Sequence, residues 1–272
     1  MKGETVRRLI KLLLPPIFIS VYRALFHKKY GFYGNYSSWQ EAESQCEGYS
    51  SVHIFDRVKK SAQLVKDEKY FCERDSVLFD SPQYSWPSLA CLMNVAAQNK
   101  GRLSVLDFGG SLGSAFFQNR RFLENLSVEW SVVEQPHFVS YGAKEIAGNG
   151  LQFFSTLAQC AEQKAINVVF LSGVLQYLPN PYQLLDEILS YGFPFVILDR
   201  TPFGRAGYDI LKIQIVDPSI YVASYPVWLL DESLFCERLH SHGYTIVEEF
   251  SSNIDWQDAS YTFKGFLIKK NS

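Results

Sequence analysis

Two carboxylates and a run of glycines carry the chemistry this chain can do. In Val105-Leu106-Asp107-Phe108-Gly109-Gly110-Ser111-Leu112-Gly113 an apolar stretch ends in an acid and runs into a glycine-rich turn. In Trp130-Ser131-Val132-Val133-Glu134 a second apolar stretch ends the same way. Glycines tolerate positive φ and carry no side chain to hold a ligand off, and a helix starting just past such a turn offers unpaired N–H groups. If both stretches are parallel strands, Asp107 and Glu134 meet one crevice at the carboxyl edge of the sheet, where open α/β sheets take their ligands. The pattern predicts a nucleoside cofactor.

The rest of the chain supplies elements able to hold that edge. Apolar runs at about Leu103 to Phe108, Val128 to Glu134, Leu151 to Phe154, Val168 to Ser172 and Phe195 to Asp199 alternate with helix-length segments, the pattern of a parallel, doubly wound sheet. Upstream, Ser38 suits the N-cap of a helix beginning at Trp39, the segment Val52 to Lys69 reads as helical, and Leu89, Leu92, Met93 and Ala96 recur at helical spacing. Downstream, 201–230 reads as an irregular aromatic insertion and a helix starts at Asp231. The strands Tyr244 to Phe250 and Tyr261 to Lys269 have too little chain between them for a crossover helix, so they are expected to pair antiparallel. The expected organisation is 1–29, a basic and apolar segment; 30–84, a helical and aromatic extension; and 85–272, one Rossmann-like α/β domain.

With 272 residues, 47% of them hydrophobic, the chain can bury one sizeable core. Its 26 basic and 28 acidic residues nearly cancel, with no basic stripe beyond the N-terminus, so a nucleic-acid partner is not expected. Five scattered cysteines with no Cys-x-x-Cys pair read as reduced, cytosolic and not metal-binding; His240 and His242, at the end of a helix, do not make a metal site. Arg7, Arg8 and Lys11 precede an uncharged run from Leu12 to Tyr22, and Arg23, His27, Lys28 and Lys29 follow it. The run is too short for a helix that spans a bilayer, about 20 residues, and Pro15-Pro16 interrupts it. It reads either as an interfacial anchor on the inner face of the membrane or as a helix docked on the domain or a partner.

The acid-ended first strand with its glycine loop, the acid-ended second strand, the run Leu171-Ser172-Gly173-Val174-Leu175-Gln176-Tyr177-Leu178 and the closing hairpin together resemble the class I S-adenosylmethionine-dependent methyltransferases over about Ser85 to Lys270. Tyr84-Ser85-Trp86-Pro87, Asp199-Arg200-Thr201-Pro202-Phe203 and Ser224-Tyr225-Pro226, with Trp228, Tyr33-Gly34 and Ser38-Trp39, look more closely like a bacterial family of methyltransferases associated with surface-polysaccharide genes. The resemblance implies S-adenosyl-L-methionine as cofactor. It implies that Asp107 and Gly109 lie beside its methionine end, that Gly110, Ser111 and Gly113 shape the turn, and that Glu134 accepts from both ribose hydroxyls. Ser111 departs from the class, which has glycine at alternate positions. Ser155 stands where the class often has an acid toward adenine, which leaves Gln135, Pro136 and Phe154 for that base, and Ser172 joins the cofactor set.

Methyl transfer from a sulfonium is a direct displacement, so alignment supplies much of the catalysis, and a base is needed only where an acceptor hydroxyl must lose its proton. Asp199 is the first base candidate, or else a structural partner of Arg200; His137 is the second, or else a histidine at a helix start. Arg200 could position an acidic sugar or a phosphate. Gln176 and Tyr177 either line the pocket floor or begin a turn, and Tyr221, Tyr225 and Trp228 either form a sugar-stacking lid or pack. The resemblance implies a carbohydrate acceptor, such as a lipid-linked glycan. Two other readings remain open: an NAD-dependent oxidoreductase or epimerase, whose Gly-x-Gly-x-x-Gly fingerprint this loop lacks, and a non-catalytic scaffold of the same fold.

Overall fold

The computed structural model describes residues 30–46, 51–217, 223–252 and 261–271. The basic segment 1–29 and Tyr221 lie outside the described residues. Five parallel strands form the centre: β4 (Arg102–Phe108), β5 (Ser127–Val133), β6 (Leu151–Phe154), β7 (Val168–Ser172) and β8 (Phe195–Gly204). Their order is β6-β5-β4-β7-β8, and β12 (Thr262–Lys270) then joins β8 antiparallel and carries β11 (Tyr244–Ser251) at its other side. The protein is thus mixed α/β with a mostly parallel central sheet and C-terminal antiparallel strands.

The strand cores are apolar on both faces because helices cover both. Successive residues alternate: Val168 and Phe170 enter one hydrophobic cluster while Val169 and Leu171 enter the other. The first cluster is completed by α2 (Ser51–Lys66), α3 (Trp86–Gln98) and α4 (Ser114–Leu123), and the second by α7 (Pro181–Ser190) and α8 (Glu232–Ser241). Between them in chain order stand α5 (Pro136–Tyr141), which runs on into a π turn, and α6 (Leu157–Gln163). The short α1 (Trp39–Ser44) starts as expected at Ser38, whose hydroxyl accepts from Glu41 N.

Three segments differ from the sequence reading. The region 201–230 is largely strand: β8 continues to Gly204, and β9 (Ile210–Ile215) and β10 (Ser224–Asp231) pair antiparallel. Pro226 hid β10, yet it is tolerated there because β10 meets β8 only at Leu230 and Asp231, which among the described residues leaves one side of the strand unpaired at the proline. The stretch Gly31–Tyr36, part of what reads as a helical and aromatic extension, is β1, an edge strand on β9. Finally, β2 (Cys72–Arg74) and β3 (Val77–Phe79) form a separate hairpin. Its two turn residues, Asp75 and Ser76, have φ of 51° and 66°, the left-handed pair that matches the twist of a tight hairpin.

Candidate functional site

The chain leaves β4 for β5 on one side and returns through β7 on the other, so the carboxyl ends of β4 and β7 diverge and open a crevice. A cleft of about 480 Å³ occupies that place, within the size range of small-molecule sites. Asp107, Gly109, Gly110, Ser111, Glu134 and Gln135 line it from the β4 and β5 ends. Ser172, Tyr177, Asp199, Arg200 and Tyr225 line it from the β7, β8 and β10 side, and His137 from α5.

Local geometry explains the loop. Gly109 has φ of 71°, Ser111 follows at 55° and Gly113 at 88°. Ser111 therefore takes a left-handed conformation without being glycine, and its backbone N–H donates to Glu134. A Cβ on Gly110 would overlap the Asp107 carboxylate, so the absence of a side chain lets that acid sit beneath the turn. Gly113 caps the start of α4, where a Cβ would come within 2.8 Å of Leu151 Cδ2.

Asp107 is 2% exposed and accepts from Trp130 Nε1 at 2.9 Å. Burial pushes its pKa from 3.8 up to about 7; the indole N–H opposes the rise and the Glu134 charge adds to it. Glu134 is half-buried at the end of β5 and accepts from Gln135 N at 2.7 Å, and burial raises its pKa also. These two acids stand on adjacent parallel strands, with Asp107 in register with Val132.

Asp199 is 1% exposed and fully engaged. Its Oδ1 accepts from Ser252 Oγ at 2.6 Å and Arg200 N at 2.8 Å, and its Oδ2 accepts from Ser85 Oγ at 3.0 Å and from Ser88 Oγ. Ser85 precedes α3 but makes no side-chain cap there, because its hydroxyl is turned to Asp199. Four donors occupy its two oxygens, which makes it a fixed anchor in the floor of the cleft. The Arg200 guanidinium bonds Asp75 at 3.4 Å, on the hairpin turn, and the Arg200 backbone is left-handed at φ 54°. Gln176, 1% exposed, donates from Nε2 to Arg200 O at 3.0 Å and so helps hold that left-handed residue.

The remaining sequence candidates divide. Tyr177 donates to Gln214 Oε1 at 2.8 Å and meets Tyr225 edge-on, with ring centroids 5.1 Å apart, so these two rings form one cleft wall. Trp228 does not reach the cleft: its Nε1 donates to Leu178 O at 3.2 Å and its ring stacks on Trp39 at 6.5 Å, a packing role. Phe154 is buried in the second hydrophobic cluster, and Ser155 is exposed outside the cleft with its N–H bonded to Gln159. His137 is exposed at the rim, with its ring packed against Phe55 at 4.7 Å.

Several cleft residues have no local sequence signal as site residues. Glu73 and Asp75 lie on the hairpin and Asn119 on α4, while Ser252, behind the lining, reaches Asp199 from beyond β11. Ser85 and Ser88 had one available signal, an i, i+3 hydroxyl pair at a helix start. Among the described residues no group of three or more His, Cys, Asp or Glu side chains is placed to hold a metal ion. Among them, too, no helix is long and apolar enough to cross a membrane.

No protein-family model matches the chain, and no curated protein matches it in sequence. Similar solved structures are methyltransferases. One is the 1,6-didemethyltoxoflavin-N1-methyltransferase of Burkholderia thailandensis, with its substrate and S-adenosylhomocysteine bound; identity is 12%, over 91% of this chain and 98% of that one, at a TM-score of 0.46. The N-terminal domain of EvdMO1 with S-adenosylhomocysteine bound is 13% identical over 82% of this chain and 98% of that one, at 0.48. CalS10, an amino pentose methyltransferase of Micromonospora echinaspora bound to S-adenosylmethionine, is 9% identical over 69% of this chain and 92% of that one, at 0.45.

Proposed function

We propose that the protein is an S-adenosylmethionine-dependent methyltransferase acting on a hydroxyl of a carbohydrate, in surface-polysaccharide or lipid-linked glycan assembly. The observation that carries this reading is the pair of carboxylates, Asp107 and Glu134, at the ends of adjacent parallel strands on either side of a left-handed glycine loop at the switch point of the sheet. The cleft fits such a group: its volume suits a nucleoside bearing an amino-acid tail, and its floor offers acceptors to hydroxyl and ammonium donors. Bound there, the cofactor supplies an electrophilic methyl on a sulfonium.

The chain's own residues bind and orient. Glu134 accepts from the ribose hydroxyls, Gly109 to Ser111 let the backbone approach closely, and Asp107 offers a negative charge beside the cationic end. Asp199 holds Arg200 and the start of α3 in place, and Tyr177 and Tyr225 give a sugar ring an aromatic wall. His137 is the accessible base candidate, since Asp199 is committed to four donors.

Calorimetry on the full chain tests the reading. S-adenosylhomocysteine is expected to bind and to raise the unfolding midpoint, by about 2.7 kcal/mol of stability at a hundredfold excess over Kd. NAD is expected to do neither. Binding of NAD with no response to S-adenosylhomocysteine would overturn the proposal in favour of a dinucleotide enzyme. Cofactor binding without turnover on any glycan acceptor would identify a scaffold.

A further inference from the structure

Trp228 is kept out of the cleft by the strand that carries it. Tyr225 and Trp228 stand three residues apart on β10, so their side chains leave opposite faces; Tyr225 lines the cleft and Trp228 lines a second cavity of about 540 Å³. The indole is fixed there, since its Nε1 donates to Leu178 O at 3.2 Å and its ring stacks on Trp39. The chain just past the cleft wall supplies the other side. Tyr177 leads through Leu178 and Pro179 to the start of α7, where Asn180, Tyr182 and Gln183 line the cavity. Asp186, further along α7, and Asp209, just before β9, add two acids.

The fold does not consume the polar groups of this cavity. Asn180 holds the N-cap position of α7, where an asparagine ordinarily accepts from the helix, yet its side chain makes no cap bond and lines the cavity instead. Gln183, three residues on, is exposed beside it. Asp209 is held by two bonds to one oxygen: Oδ1 accepts from Asp231 N at 2.7 Å and from the Tyr182 hydroxyl at 3.1 Å. Its Oδ2 is the oxygen left for a donor from outside the protein.

Charge narrows the ligand. The Arg238 guanidinium bonds Asp186 and lies 4.7 Å from the centre of the Tyr182 ring, and His242 Nε2 stands 3.7 Å from the same carboxylate. A cationic ligand would therefore find Asp186 and Tyr182 already served by a cation, and a phosphate or carboxylate would meet the Asp209 lone pairs. What stays open is one acceptor oxygen, two amides that both donate and accept, and the indole of Trp228. A sugar matches that set, because its hydroxyls donate and accept and its C–H edges pack on an aromatic side chain.

We propose that this cavity is a saccharide site separate from the cleft, taking a neutral sugar unit away from the reacting centre. The inference shares the carbohydrate class with the proposed function and takes no support from the cofactor.

Saturation-transfer NMR and calorimetric titration on the full chain test it. The probes are three neutral disaccharides, cellobiose, maltose and lactose, with glucuronate and choline as the anionic and cationic comparisons. At least one disaccharide is expected to bind in preference to both charged probes. The double variant Asn180→Ala, Gln183→Ala is expected to weaken that binding about tenfold, as the loss of two neutral hydrogen bonds gives, with S-adenosylhomocysteine affinity and the unfolding midpoint unchanged. Asn180 makes no cap bond and Gln183 is exposed, so neither substitution removes a contact the fold uses. Binding of none of the disaccharides, tighter binding of glucuronate or choline, or wild-type affinity in the double variant would each overturn the site. A disaccharide that is lost in Tyr225→Ala and kept in the double variant sits in the cleft, which also overturns it. If S-adenosylhomocysteine does not bind, the proposed function fails, and the disaccharides still decide this site.

Discussion

Replacing Asp107 with asparagine should make the ligand-free protein relatively more stable as the pH rises. The carboxyl is 2% exposed, and burial pushes its pKa from 3.8 to about 7. Between those values the native protein holds a proton that the unfolded chain has released, so the native state binds more protons and stability falls as pH increases through that window. At about 1.4 kcal/mol per pH unit, the interval from 3.8 to about 7 amounts to about 4 kcal/mol, absent below pH 4 and fully expressed above pH 7. Asparagine keeps an acceptor for Trp130 Nε1 and removes the titration. Urea unfolding of both proteins from pH 5 to pH 8.5 should show the difference in unfolding free energy moving in favour of Asp107→Asn by about 2 to 4 kcal/mol across the range. The raised carboxyl of Glu73 adds a dependence of the same sign to both proteins and cancels in the difference, while that of Glu134, whose charge acts on Asp107, cancels in part. A difference that stays flat over that range, to within about 0.5 kcal/mol, would disprove the assignment of a buried, proton-holding carboxyl.

Glu134→Ala should weaken S-adenosylhomocysteine binding by about 1.5 to 3 kcal/mol per lost charge-assisted bond, with a much smaller change in the unfolding midpoint; wild-type affinity would place the ribose elsewhere. Asp199→Asn confronts Ser85, Ser88, Ser252 and Arg200 N with an amide where they now meet a carboxylate, and should cost about 1 to 3 kcal/mol in urea unfolding. A variant as stable as wild type that has lost turnover would instead make Asp199 the base. Gly110→Ala pushes a methyl into the Asp107 carboxylate and should destabilise by about 1 to 3 kcal/mol; an unaltered midpoint and affinity would show that the loop yields freely. The basic flanks of 1–29 predict co-sedimentation with anionic vesicles that weakens in high salt and disappears when 1–29 are deleted; binding that survives the deletion would assign the segment to internal packing.

The carboxyl edge of the sheet was legible in the chain because its signals are local. Val168 to Leu171 form a continuous apolar run only a strand buried on both faces would need, and an acid at the end of such a run, as at Asp107, is delivered to the carboxyl edge by the strand itself. The antiparallel close of β11 and β12 followed from the length of chain between them. What the residues pointed to without placing was the role of Asp199: its acid at a strand end is local, but Ser85 and Ser252, which occupy it, lie 114 and 53 residues away. Hydroxyls carry no periodic signature, and only the packing of α3 and of the chain after β11 onto β8 brings them together. The hairpin of Glu73 was missed for the same reason, since three-residue strands are too short to show alternation and the left-handed turn at Asp75 and Ser76 contains no glycine. In β10, a proline that argues against a strand is permitted because the fold leaves that strand half unpaired, a condition that depends on which neighbours the sheet supplies and not on the strand's own residues.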